Sequence, residues 1–190
     1  MRLGMMSSVF RDYPVEEAAE RLRAAGFDCT QLTPDFTDMR FCRYGKALDL
    51  SGLTTPVRRR IRRAFEAAGV EVLSQGAYME LTGENEAQRR ANLDYFADRL
   101  RMMGDLGGRV LVTESGARPE GAAAQQAAWD RLRAALAELL PIAAEANVAI
   151  GLEPSRAQVL KDTATARSLL DEFGSERLQV MIDPANILGL

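Results

Sequence analysis

Three observations predict an α/β fold built from repeated β/α units. Short β-favouring runs alternate with segments of helical periodicity along all 190 residues. The helical segments end on a glycine or asparagine that hands directly to the next apolar run, as in RAAGFDC, EAAGVEV, DLGGRVL and EANVAIG. The runs are continuously apolar rather than alternating, which suits parallel strands covered on both faces and joined by right-handed crossovers.

The elements follow in order. A first strand over Arg2 to Met6 leads through SSVFRDYP to the helical segment PVEEAAERLRAAG, where Pro14 suits the first turn and Gly26 the cap. Asp28 to Leu32 is the second strand. TTPVRRRIRRAFEAAG is the second helix, closed by Gly69, and Val70 to Ser74 the third strand. The long ENEAQRRANLDYFADRLRMMGDLG reaches Gly107 before Arg109 to Thr113. AAWDRLRAALAELLPIAAEAN ends on Asn147 before Val148 to Leu152, and DTATARSLLDEFG precedes Leu178 to Ile182. Six strands and five helices are expected, with no helix after the last strand. The joins differ too much in sequence to be recent duplications, so the repeat is architectural.

An open doubly wound sheet and a closed (β/α)8 barrel are the competing arrangements. The first strand runs into SSVFRDYP with no GxGxxG cradle, and no GxxxxGK[ST] loop occurs. Polar or acidic residues close successive strands instead: Gln31, Gln75, Glu114, Glu153 and Asp183. A barrel places its active site at that end. Strand starts lie about 35 residues apart, so eight units need about 280 residues and this chain holds about six of eight. The expectation is a single, incomplete TIM-barrel-type domain over residues 1–190.

Composition narrows the chemistry. Hydrophobic residues make up 47%, which excludes a disordered chain, and 24 basic against 27 acidic residues give a net charge of -3 and no case for a polyanionic partner. Histidine is absent, which removes imidazole ligands, Ser-His and Cys-His nucleophiles and histidine acid-base steps. Catalysis must use carboxylates. Cys29 and Cys42 lack CxxC or zinc spacing and fit a reduced, cytoplasmic protein. The opening MRLGMMSSVF is too short for a signal peptide, and no apolar run of 18 residues exists to cross a membrane. Arginine supplies 22 of the 24 cations, and RRRIRR at 58–63 resembles a nucleic-acid patch. Helical spacing spreads it around a helix whose Ile61 and Phe65 face the sheet, leaving a solvated outer surface.

The segments NVAIGLEPS and LQVMIDPANIL resemble strands five and six of the sugar phosphate isomerase/epimerase family, the xylose-isomerase-like TIM barrels. RLGMMSSVF, GFDCTQL, GAYMELT and NEAQRRANLDYFADRLRMMGDLGGRVLVTESG agree, so the resemblance spans essentially the whole chain. It implies a divalent metal (Mn, Co, Mg or Zn) held by Glu153 and Asp183, with Glu153 also moving a proton; the family's later histidine and glutamate ligands have no counterpart here. A metal bridging a carbonyl and a neighbouring hydroxyl would stabilise an enediolate while a carboxylate lifts the carbon-bound proton, giving isomerisation or epimerisation. Two carboxylates alone make a weak site for a hard cation.

Glu114, Asn186, Gln31 and Gln75 are candidate substrate-binding residues, each with a plainer reading as cap, loop or strand-end residue. Asn186 can hold its loop through an Asx-type bond, with Pro184 fixing the turn. Tyr78 and Met79 suit a lid or core packing. The family's DNA-repair relatives rely on a histidine-rich zinc cluster that this chain cannot build. The expected function is a sugar or sugar-phosphate isomerase or epimerase, and the expected assembly a homo-oligomer covering unpaired strand edges. The alternative is a non-catalytic or incomplete barrel, a binding or assembly module whose site a partner chain completes.

Overall fold

The computed structural model describes residues 2–41 and 48–188. Cys42 lies outside the described residues. Six strands share one sheet in the order β1 (Gly4–Met6), β2 (Cys29–Gln31), β5 (Glu71–Gly76), β6 (Val110–Glu114), β7 (Ala149–Glu153), β8 (Leu178–Val180). Each expected strand is present within two residues of its expected ends. β1 pairs with β2, β2 with β5 and β7 with β8, all in parallel. The sequential order with a helix in the crossovers is the pattern of a barrel wall rather than of a doubly wound sheet, whose order reverses at a switch point.

The chain divides into two compact units, residues 1–76 with 102–110, and residues 77–101 with 111–190. In the first, α1 (Val15–Ala24) packs on α2 (Thr55–Ala68). Val15, Ala18, Ala19 and Leu22 meet Ile61, Ala64 and Phe65 at the i, i+3, i+4 spacing of an apolar stripe, and all are buried. Most of RRRIRR takes the expected surface role, while Arg58 is largely covered and pairs with Asp105 at 2.8 Å. Arg60 chelates Glu16 at 2.7 Å through both Nε and Nη2 and also pairs with Asp38, while Arg62 pairs with Glu66 at 2.6 Å. Gly69 caps α2 at φ 69°, a left-handed position where a Cβ would clash with its own backbone. Gly26, Gly107 and Asn147 also take positive φ at the helix-to-strand joins.

Several features depart from the sequence reading. A hairpin, β3 (Asp35–Phe36) with β4 (Met39–Arg40), follows β2. Its Asp38 carboxylate accepts from Val15 N at 3.3 Å and supplies the cap that Pro14 cannot, since Pro14 sits at the capping position itself. A single 3-10 turn over Ser7–Phe10 follows β1. A five-residue helix, α6 (Pro184–Leu188), follows β8 where no helix was expected; Pro184 starts it with a preset φ, and Asp183 Oδ1 accepts from Ala185 N at 2.9 Å.

In the second unit α4 (Ala122–Glu145) starts five residues before the expected segment, because AAAQQ is itself a strong helix former. Leu132, Ala135, Leu136, Leu139 and Ala143 form its buried stripe. Pro141 stands exposed on the other face, where water can satisfy the carbonyl it leaves unpaired. α3 (Glu86–Asp105) adds Leu93, Phe96, Ala97 and Leu100, and α5 (Thr163–Phe173) adds Ala166 and Leu169. Every residue of β7 is buried, as a strand covered on both faces requires. Among the described residues no helix is long and apolar enough to cross a membrane.

Candidate active site at the strand ends

Glu153 is the last residue of β7 and, among the described residues, the one acidic side chain in the set of buried polar groups, 5% exposed. The strand's apolar run carries its backbone into the core, and the carboxylate is drawn in with it. Asn186, from the first turn of α6, donates Nδ2–H to Glu153 Oε1 at 2.6 Å, and the Tyr78 hydroxyl lies 3.4 Å from Oε2. Burial pushes the Glu153 carboxyl above the usual carboxylate range, and the negative charges of Asp183 and Glu114 push it the same way. The Asn186 and Tyr78 hydrogen bonds act against this without overcoming it. A carboxylate so placed is a stronger base than an exposed one.

Asp183 follows β8 and interacts electrostatically with Glu153 while capping α6. Glu114 ends β6, and its Oε2 accepts from Gln158 Nε2 at 3.2 Å. Two loops set that contact. The segment after β6 and the segment after β7 are tied by an Ala117–Gln158 bridge, by Arg118 N to Ala157 O at 2.9 Å, and by Leu160 N to Ser115 Oγ at 2.8 Å. The Glu80 carboxylate braces the first loop, accepting from Ala117 N at 3.1 Å and from Thr82 Oγ1 at 2.9 Å.

Within the second unit Asn186 thus contacts Glu153, and Asp183 and Glu114 act on it electrostatically. Gln31 and Gln75 belong to the first, where Gln31 pairs in register with Ser74 across β2 and β5. Gln75 is 2% exposed, and neither polar atom of its amide has a hydrogen-bond partner. A buried amide left open in this way has donor and acceptor capacity for a polar ligand.

Tyr78 is 53% exposed with its hydroxyl toward Glu153, so it is not core packing. Gln158 and the bracing Glu80 were not singled out in the sequence. The signal for Glu80 lay in its position four residues past a strand end; Gln158 carries no local signal, because its role comes from pairing with a loop some 40 residues earlier.

Among the described residues no cluster of three or more Asp, Glu, Cys or His side chains is arranged to hold a metal ion. Glu153 and Asp183 fit a hard divalent cation in kind, as oxygen donors whose mutual repulsion a cation would relieve. They fall short of its usual six oxygens in number. The Asn186 bond leaves Glu153 Oε1 a second lone pair.

A family model described as a xylose isomerase-like TIM barrel matches residues 19–189. No curated protein matches the sequence. Among solved structures, L-ribulose 3-epimerase superposes with a TM-score of 0.75 at 22% identity, over 98% of this chain and 62% of that one. The apo form of 3-keto-D-glucoside 4-epimerase from E. coli gives 0.73 at 17% identity, over 99% of this chain and 70% of its own. The IolI protein, crystallised with a zinc atom, gives 0.73 at 13% identity, over 98% and 64%. This chain thus spans about two thirds of their lengths, and at these identities the likeness is one of fold.

Proposed function

The chain belongs to the xylose isomerase-like TIM barrel family, and from that premise we propose that it serves as an isomerase or epimerase of a small sugar or sugar phosphate, with Glu153 moving a carbon-bound proton. The buried Glu153 carboxylate, held by Asn186 with its pKa raised, carries the reading. Epimerases among the solved structures of this fold support the substrate class.

Glu153 and Asp183 would hold the divalent cation. When bound, such a cation supplies Lewis-acid polarisation of a carbonyl and its neighbouring hydroxyl. The chain's own residues do the rest. Asn186 fixes the Glu153 carboxylate in one orientation, so that an oxygen can face the substrate carbon and accept its proton. Burial makes the protonated form accessible, so the proton can be returned. Glu114, held by Gln158, is the further carboxyl available to orient a substrate hydroxyl. Within the first unit, the open amide of Gln75, with Gln31 on the neighbouring strand, is a candidate binder of a polar ligand in its own right.

The absence of a three-ligand cluster among the described residues favours a second reading, in which a partner chain supplies further ligands and this chain alone acts as a binding module. Calorimetric titration of Mn(II) near neutral pH, with Glu153→Ala and Asp183→Ala, tests the proposal. Saturable one-site binding lost in both variants supports the metal-assisted enzyme. No binding by folded protein assigns the chemistry to a completed assembly.

A further inference from the structure

We propose that Gln75 recognises a neutral ligand through a vicinal diol, and that its buried amide is kept for that contact at a cost to folding. Among the described residues of the first unit the buried polar side chains are Ser7, Thr30 and Gln75. The first two are satisfied. Ser7 Oγ donates to Thr33 O at 3.0 Å and accepts from Thr33 N at 2.8 Å, and Thr30 Oγ1 donates to Met5 O at 2.7 Å. Gln75, 2% exposed, differs from both: its Oε1 and its Nε2 each lack a partner.

An amide in that state weakens the fold, because it gives up its bonds to water and receives none in return. Leucine would pack there without the loss. The same feature favours a ligand. A solvated amide gains little from a new partner, since each bond displaces one to water; the Gln75 amide has already shed its water on folding, so a ligand that completes it gains the bonds without that exchange. No hydrogen bond holds the amide in its buried rotamer. It also lies close beneath the surface, since Ser74 and Gly76 on either side of it and Gln31 on the neighbouring strand are half-buried. The backbone below it is fixed: Ser74 O accepts from Leu32 N at 2.8 Å, joining β5 to the segment after β2.

The open atoms define what they accept. The amide offers a donor and an acceptor side by side on one planar group. A carboxylate or phosphate supplies acceptors alone and an ammonium donors alone, so either ion leaves half of the amide unpaired and must also shed its own water. One hydroxyl reaches both atoms only through bent bonds. Two neighbouring hydroxyls, one donating to Oε1 and one accepting from Nε2, complete the amide with both bonds straight. The choice of a diol rests on the sugar class proposed above and narrows it to the unsubstituted, uncharged hydroxyls of the sugar at this residue. It does not depend on Glu153.

Thermal melts and saturation-transfer NMR on the full chain and on Gln75→Leu test it, with D-fructose, D-tagatose and D-ribulose as probes. Gln75→Leu is expected to keep the fold and to raise Tm by roughly 2–12 °C, because it removes an unsatisfied buried amide. The parent is expected to bind at least one of the sugars saturably, and inorganic phosphate not to displace it. In Gln75→Leu that affinity falls about tenfold or more, the worth of two hydrogen bonds. A lowered Tm in Gln75→Leu shows that the amide is already bonded in the free protein and overturns the proposal. An affinity in the folded variant equal to that of the parent overturns it too, as does the absence of saturable binding by the parent. Glu153→Gln should retain sugar binding. Binding lost in Gln75→Leu, with no exchange of a carbon-bound proton by the parent, removes the proton-transfer reading alone; exchange and affinity both intact in Gln75→Leu remove this inference alone.

Discussion

Gly116→Ala tests how firmly the loop after β6 is fixed. Gly116 takes φ +106°, and a Cβ there collides with Glu80 Oε1 and Thr82 Oγ1. Holding a side-chain-bearing residue at that φ costs about 1–3 kcal/mol. Glu80 must also withdraw, giving up its bonds from Ala117 N and Thr82 Oγ1. Since the displaced carboxylate can reach water, the net loss is that of one charge-assisted bond, about 1.5–3 kcal/mol. Together these give roughly 2.5–6 kcal/mol, or a fall in Tm of roughly 5–24 °C at 2–4 °C per kcal/mol for a chain of this size. Gly121→Ala is the control: its φ is +83° with nothing within 4 Å of the added Cβ, so it pays strain alone. Urea denaturation of both variants isolates the collision as their difference. A Gly116→Ala loss below about 1 kcal/mol, or no larger than that of Gly121→Ala, would refute the view that Glu80 braces this loop.

Further outcomes follow from the same structure. Because burial raises the Glu153 pKa and the base must be ionised, activity should rise with pH through a midpoint above the ordinary carboxylate range; Asn186→Ala, which removes a hydrogen bond that lowers that pKa, should move the acid limb further up in a pH-rate profile. Asp162→Ala should cost about 1 kcal/mol at neutral pH. The Thr165 backbone hydrogen bond depresses the Asp162 pKa below its unfolded value, so this contribution is present above that value and is lost as pH falls through the folded pKa, which urea melts at pH 7 and pH 2 would show. Leu3, Met6 and Val9 are exposed at the edge strand β1 and the turn after it, so light scattering at micromolar concentration should give an oligomeric mass; a monomer would count against self-association.

Much of the fold was legible because its signals are local. The cap residues Gly26, Gly69, Gly107 and Asn147 marked the helix-to-strand joins, and the spacing of Ile61 and Phe65 told an exposed arginine helix from a basic patch. The β3–β4 hairpin escaped because two-residue strands show no alternation, and it exists for its contacts, with Asp38 capping α1. In the site, Glu153 and Asp183 could be read from their strand ends. That Asn186 grips Glu153 depends on α6 turning back toward β7, and Gln158 reaches Glu114 only because two distant loops pair. Such long-range register leaves no periodic trace in the sequence.

Proton exchange tests the central claim most directly. A panel of ketoses, aldoses and their phosphates is incubated in D2O with the Mn(II)-supplemented chain and followed by proton NMR. The account predicts deuterium entering at the carbon beside the carbonyl of at least one sugar, abolished in Glu153→Gln while that variant keeps its fold. Exchange that persists unchanged in Glu153→Gln would contradict the assignment of Glu153 as the proton-moving group.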